Sequence, residues 1–163
     1  MQRFQELNNA ELDWIASRIE DAKLLISQYA PGDVGQPINA SVLDRGYAGW
    51  LASNETNSDR INEVINALGI AFGQLLVDEI GFQWVIVTDQ FGTDMGILAL
   101  PGKGDVLVTP ATMVAKRWET RETGFLVPLH RVVTDQVRKV EALWKDGPSP
   151  ATATGQKPWW RFW

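Results

Sequence analysis

Gly69-Ile-Ala-Phe-Gly73-Gln leads, within a short span, to Trp84-Val-Ile-Val-Thr88-Asp-Gln-Phe-Gly92-Thr-Asp94 and then to Pro110-Ala-Thr-Met-Val-Ala-Lys116-Arg117. The first piece belongs to a run with apolar residues at steps of three and four, which is typical of a helix. The second has two β-branched and aromatic runs around a tight turn, and the third begins with proline, which suits the first turn of a helix. A helix, a hairpin and a second helix in close succession predict a compact α+β unit.

The strands of this unit are predicted to form a three-stranded antiparallel meander. Residues 82–88, 94–100 and 105–109 are the strand segments, and short turns rich in Gly, Asp and Pro join them. Turns this short indicate antiparallel neighbours, because a parallel connection needs a dozen or more residues.

About five helices are predicted around the sheet. One begins at Pro110, with Thr109 as its expected cap. A capping-box pattern precedes the first helix at Asn8–Glu11, and Ser58 is the expected cap of the third. The other helices show apolar periodicity in four segments: residues 9–29, 41–53, 59–80 and 126–144. The predicted fold class is therefore α+β, a three-stranded antiparallel meander flanked by about five helices, with a flexible C-terminal tail.

Gly69 and Gly73 lie one turn apart inside the third helix, where each glycine costs about 1 kcal/mol relative to alanine. We predict that another backbone approaches closely on that face and offsets this cost. The segment before residue 58 is expected to share the same core, because Trp14, Tyr47 and Trp50 carry large apolar surfaces that need cover.

The composition changes after the last predicted helix, where Pro, Ser, Ala, Thr and Gly replace the apolar periodicity. Such a stretch is typical of a flexible linker. We therefore predict a single α+β domain over residues 1–146, a flexible linker over residues 147–157 and an aromatic tail over residues 158–163.

Residues 62–143 resemble a bacterial domain of unknown function, the family numbered 3806. Four pieces in order carry the resemblance: the helix with Gly69–Gly73, Trp84-Val in the first strand, Thr88-Asp89 before Gly92–Asp94, and Pro110 ahead of Met113–Arg117. The resemblance implies an α+β fold and a bacterial source. It implies no activity, cofactor or catalytic residue.

Composition excludes several classes of protein. The chain has no cysteine, which excludes disulfides, thiolate nucleophiles and cysteine-ligated metals, and its 20 acidic against 15 basic residues disfavour nucleic-acid binding. No signal-peptide pattern is present, and no apolar stretch approaches the ~20 residues of a membrane span. We expect a cytoplasmic protein without a transmembrane segment, a cofactor or a nucleic-acid partner.

Asp89, Thr93 and Asp94 cluster at the first hairpin, where two carboxylates could bind a divalent cation or act as acid and base. Lys116 and Arg117 could clamp an anionic group nearby. The same residue types are also ordinary turn and helix-end residues, and a calcium loop needs more oxygen ligands at regular spacing. We assign no metal and no catalytic residue, and keep an enzyme or small-ligand site at these five residues as the alternative function.

His130 is the only histidine of the chain. It falls in the final helix, and the sequence has no Gly-x-Ser-x-Gly elbow that would supply a nucleophile. We expect a solvated or packed helix histidine rather than a catalytic one.

The aromatic tail carries the leading hypothesis about function. Aromatic side chains in water lower solubility unless they are used, and Trp and Arg are frequent anchors of interfaces. Docking on a protein partner, on its own domain or a second copy, and on a membrane surface all stay open. We favour a non-enzymatic bacterial protein-interaction module (an adaptor, an inhibitor or an immunity-like protein) that uses these residues: Trp159, Trp160, Arg161, Phe162 and Trp163.

Overall fold

The computed structural model describes residues 2–146. Within them the α+β class and the five α-helices are confirmed, and none of these helices is both long and apolar enough to cross a membrane. A single 3-10 turn, Pro31–Asp33, separates the first two helices. The elements follow in the order β1 (Arg3–Glu6), α1 (Asn9–Tyr29), α2 (Ala40–Ala52), α3 (Ser58–Ile80), β2 (Gln83–Asp89), β3 (Gly92–Ala99), β4 (Val106–Val108), α4 (Pro110–Thr120) and α5 (Leu126–Asp146).

The sheet has four antiparallel strands in the order β1-β2-β3-β4, so the prediction of three strands is wrong. The missed strand, β1, pairs with β2 from Arg3 opposite Thr88 to Glu6 opposite Val85. All four β1 residues are exposed, so no alternation of buried and exposed positions marks this strand in the sequence. It forms because the edge of β2 offers unpaired N–H and C=O groups.

Side chains that precede the helices determine where several of them begin. The Asn8 side chain accepts a hydrogen bond from the Glu11 N–H at 3.0 Å, and the Asn8 N–H donates to Glu11 Oε2 at 2.7 Å, which confirms the predicted capping box. α3 is capped by Asn57 and not by Ser58, because Asn57 Oδ1 accepts from the N–H groups of the second and third helical residues. α4 begins at its predicted residue, although the Thr109 side chain makes no capping hydrogen bond.

The two glycines of α3 make room for its neighbours. A Cβ placed on Gly69 would lie 2.5 Å from Ala111 Cα of α4, and a Cβ placed on Gly73 would lie 2.5 Å from Cη2 of Trp84. Both distances are far inside van der Waals contact, so a methyl group does not fit at either position. The predicted close approach of another backbone is confirmed at Gly69, whereas Gly73 accommodates the indole ring of a β2 residue.

The main core lies between the helices and one face of the sheet. Tyr47 and Trp50 of α2 have 0% and 1% of their surfaces exposed, and they belong to a cluster to which all five helices contribute. The segment before residue 58 thus shares the core, as expected. Trp14 does not, and it is 38% exposed. A helix turns by about 100° per residue, and on α1 the neighbouring Ile15 occupies the buried side.

Side-chain alternation gives the sheet a helix-covered face and an outer face. On the covered face, Trp84 Nε1 donates to Gln74 Oε1 of α3 at 2.9 Å, and Ile97, the β3 partner of Trp84, lies in the main core. The outer face carries a separate group of aliphatic side chains. We call this group the outer sheet cluster, and it consists of Val85, Val87, Leu98 and Leu107.

The second half of α5 lies against the turn between β3 and β4. A Cβ on Gly104 in this turn would lie 2.5 Å from Val140 Cγ1 and 3.5 Å from Trp144 Nε1. Gly104 also has a positive φ of +105°, which other residues rarely adopt. The end of α5, where the described residues stop, is therefore close to this edge of the sheet.

Candidate functional site

Local hydrogen bonds hold two of the three candidate residues of the first hairpin. Asp89 Oδ1 accepts from the Phe91 N–H at 2.8 Å, which closes the turn. The hydroxyl of Thr93 lies 3.0 Å from that of Thr88, its partner on the neighbouring strand. These contacts are the ordinary ways in which Asp and Thr stabilise a hairpin.

Asp94 joins the hairpin to α4. Its Oδ2 accepts from Thr112 Oγ1 at 2.9 Å, and its Oδ1 accepts from the Met95 N–H at 2.8 Å. Each carboxylate oxygen is thus engaged by the protein. The arrangement attaches the first part of β3 to the first turn of α4.

Lys116 and Arg117 lie in the second half of α4, as predicted. Arg117 Nε is 3.1 Å from Glu122 Oε2, and the Arg117 guanidinium carbon lies 6.0 Å from the centre of the Phe125 ring. Both of these partners, Glu122 and Phe125, lie in the connection between α4 and α5. These contacts of Arg117 therefore stabilise the path of the chain into α5.

His130 connects α5 to α3. Its Nε2 lies 2.6 Å from Glu79 Oε2, and its ring packs edge-on against Phe72 with 6.5 Å between the ring centres. The histidine is half-buried and has a carboxylate partner. This is a packed position, one of the two (solvated or packed) that the sequence leaves open.

An open cleft of about 240 Å³ runs along α5. None of the five candidate residues of the hairpin and α4 lines it. The two arginines of this cleft, Arg131 and Arg138, were not identified from the sequence. Their separation by seven residues could have indicated them, because it places both on one face of a helix. The cleft is lined by Ala40, Val127, His130, Arg131, Thr134, Asp135 and Arg138.

Asp44 is a buried carboxylate that the sequence did not single out. It is 8% exposed, and its two oxygens accept hydrogen bonds from the N–H groups of Leu126 at 2.9 Å and Val127 at 3.0 Å. These are the first two residues of α5, whose N–H groups have no partner within the helix. Asp44 therefore caps α5 from α2.

Two titratable groups with shifted pKa values also have structural roles. Hydrogen bonds from the Arg45 guanidinium, at 2.7 and 2.8 Å, lower the pKa of the Asp33 carboxyl. Burial raises the pKa of the Tyr47 phenol to about 12. The pKa shift of Asp33 therefore reflects an ion pair between the 3-10 turn and α2, and the pKa shift of Tyr47 reflects burial in the main core.

No metal site emerges from the described part of the chain. Within residues 2–146, no three His, Cys, Asp or Glu side chains are placed so that they could hold a metal ion. The candidate partner-binding residues lie outside that range: Trp159, Trp160, Arg161, Phe162 and Trp163.

The fold defines the class as an α+β protein with an antiparallel sheet backed by helices on one face. A family model described as a domain of unknown function (DUF3806) matches residues 43–128, slightly more than half of the chain. The chain belongs to this family. No curated protein and no solved structure matches it.

The matched block confirms the predicted family but has different limits. It begins at residue 43, within α2, and ends at residue 128, within the first turn of α5, whereas the prediction covered residues 62–143. The match thus includes α2 and its Asp44, and it omits most of α5.

Proposed function

We propose that this protein is a non-enzymatic interaction module of a bacterial cytoplasm, an adaptor, inhibitor or immunity-like protein, that binds a protein partner through residues 159–163. The observation that carries the proposal is the composition of this segment, in which four of five residues are aromatic and the fifth is Arg161. Trp and Arg are the residues most enriched among interface anchors, because they bury large areas and also make directed polar contacts.

The linker supports this use of the aromatic segment. Residues 147–157 contain Gly, Pro, Ser, Thr and Ala and no aromatic residue. A chain of this composition acts as a spacer, so a binding segment attached through it can move independently of the folded domain. The absence of cysteine in the whole sequence suits a reducing compartment, which is the support for a cytoplasmic location.

The local use of the hairpin carboxylates supports the non-enzymatic part of the proposal. Asp89 accepts from its own turn, and Asp94 accepts from Thr112 and Met95. A catalytic pair is expected to converge on a concave site with shifted pKa values. The alternative, an enzyme or small-ligand site at Asp89, Thr93, Asp94, Lys116 and Arg117, has no such convergence in its favour.

A capture experiment with three full-length proteins tests the proposal. The natural chain is compared with a variant in which all four aromatic residues of the segment are changed to serine, and with Phe91→Ser as the matched control. Phe91 is 79% exposed at the hairpin tip, so its removal deletes an exposed aromatic ring elsewhere on the surface.

We expect the natural chain and Phe91→Ser to recover the same stoichiometric protein partner, and the four-serine variant to lose at least tenfold in affinity. Such a loss is about 1.4 kcal/mol or more, a modest demand on several interface aromatics. Equal recovery by all three proteins would locate binding on the folded body and contradict the proposal.

A further inference from the structure

The outer face of the sheet is more apolar than is usual for the side of a sheet that no helix covers. In an antiparallel sheet with helices on one face, the other face commonly meets water and carries polar residues. Here the outer sheet cluster places four aliphatic side chains on that face, and these contact one another without joining the core shared by the five helices. Phe4 of β1 lies opposite Val87 in the register, so it extends the same apolar face to the edge of the sheet.

The side chains of the outer sheet cluster are as little exposed as those of a sheet face that another layer covers. Val85, Val87, Leu98 and Leu107 are exposed by 7%, 5%, 5% and 2%. Gly96 lies beneath them, and a Cβ there would be 3.1 Å from both Val87 Cγ2 and Leu107 Cδ1, so the missing side chain lets the cluster close over the backbone. Nonpolar area on a sheet face stabilises a fold only when another layer excludes water from it.

We propose that the aromatic segment, residues 158–163, docks on the outer sheet cluster of its own chain. The segment offers Trp and Phe rings, which bury 150–250 Å² each and pack favourably on aliphatic side chains. Glu6 lies opposite Val85 on the same face, and it supplies an exposed carboxylate for Arg161. The segment therefore matches the face both in apolar character and in charge.

The connection is long enough for this contact. α5 ends beside the turn around Gly104, three residues before Leu107 of the cluster. Residues 147–157 span up to about 36 Å when extended, and their root-mean-square length as a flexible coil is about 18 Å. β3 has eight residues and is therefore about 27 Å long, so the segment can reach any part of the outer face.

Because the aromatic segment is tethered to the domain, a weak contact is sufficient to keep it docked for much of the time. A short flexible linker holds its two ends at an effective concentration in the millimolar range, so a contact with a dissociation constant near 1 mM is occupied for much of the time. The consequence rests on the proposed function: the docked segment is withheld from a protein partner, and the partner must displace it from the sheet.

Methyl NMR of the full-length protein, without any partner, tests the docking. Leu and Val methyl groups are labelled with ¹³C in a deuterated background with protonated Trp rings. We expect nuclear Overhauser contacts between Trp rings of the segment and the methyl groups of the outer sheet cluster. Their absence would overturn the proposal, as would their appearance only between differently labelled molecules in a mixed sample, which would indicate docking on a second copy.

Point variants of the full chain assign these contacts. Trp160→Ser with Phe162→Ser is expected to shift the methyl signals of the outer sheet cluster and to leave those of Leu43, in the main core, in place. Phe91→Ser, the matched control, is expected to leave the cluster signals unchanged. Equal shifts in both variants, or none in either, would contradict docking.

Phe4→Ser tests the regulatory consequence separately. Phe4 is 37% exposed at the edge of the outer face, so its loss weakens the docking surface with little effect on the core. Once a partner is in hand, this variant should bind it at least twofold more tightly than the natural chain, and unchanged affinity would refute withholding of the segment. The NMR experiment needs no partner. It can therefore disprove docking while partner capture succeeds, and it can show docking while partner capture fails.

Discussion

At the scale of single residues, one carboxylate connects two helices that are far apart in sequence. Asp44 in α2 accepts from the Leu126 N–H, 82 residues along the chain, in a buried setting. A capping side chain normally comes from the residue just before the helix, where it satisfies the first unpaired N–H groups. α5 instead receives its cap from the neighbouring helix in space, so the bond stabilises the helix and its docking together.

We predict that Asp44→Ala lowers the free energy of unfolding by about 2–3 kcal/mol, because it leaves the buried N–H of Leu126 and the partly buried N–H of Val127 without an acceptor. Asp44→Asn should lose less, since the amide oxygen still accepts one hydrogen bond. Urea unfolding followed by circular dichroism gives both values. Asp135→Ala, at an exposed position of α5, is the control, and an equal loss in Asp135→Ala and Asp44→Ala would contradict the capping role.

At the scale of elements, the contact between α3 and α4 holds the end of the sheet against the helices. Ala111 of α4 approaches Gly69 so closely that a Cβ there would also lie 2.7 Å from the Ala111 nitrogen. The glycine costs helix propensity, but it allows two backbones to meet. β4 leads directly into α4, so this contact also holds the end of the sheet against α3.

We predict that Gly69→Ala lowers the free energy of unfolding by about 1–3 kcal/mol, because the methyl group would overlap backbone atoms that cannot turn away. Gly46→Ala in α2 is the matched control. Its Cβ would lie 3.4 Å from Ile26 Cγ1, an ordinary contact, so it should be neutral or stabilising by up to about 1 kcal/mol. Thermal and urea unfolding would measure both, and stabilisation by Gly69→Ala would disprove the close approach.

At the scale of the whole molecule, segments from both ends of the described chain share one core. Leu25 of α1 and Val108 of β4 are both buried in the main cluster, together with residues of α5. The family match begins only in α2, so α1 lies outside the matched block but inside the core. Contacts of this kind favour unfolding in one cooperative step.

We predict a single unfolding transition for the part of the chain between α1 and α5. Circular dichroism, which reports helices, and tryptophan fluorescence should give the same midpoint in urea. Leu25→Ala should shift both midpoints together, with a loss of about 2–5 kcal/mol. An early helix-specific transition in that variant would instead show that α1 unfolds as a separate unit.

Features that a few neighbouring residues determine were predicted accurately from the sequence. Features that depend on three-dimensional geometry were not. The span of α1 and the start of α4 were predicted to the residue, because a capping box and a proline at the first position are local signals. Ser58 is the predicted cap of α3, whereas the cap is the preceding residue, Asn57, because the side chains of both residue types can cap a helix and only backbone geometry distinguishes them. The exposure of Trp14 was missed because size alone does not say which side of a helix is covered.

By itself, the sequence determined the α+β class, the five helices and the hairpin, because each depends on patterns within about twenty residues. It also determined the family, through four short pieces that follow one another in order between Gly69 and Arg117. The tertiary structure alone decided the fourth strand, the Asp44 cap, the cleft along α5 and the outer sheet cluster. β1 has no apolar alternation of its own, and it becomes a strand when β2 offers it hydrogen-bonding groups more than seventy residues away. These features depend on pairs of distant residues, and such pairs are brought together only by the packing of the whole chain.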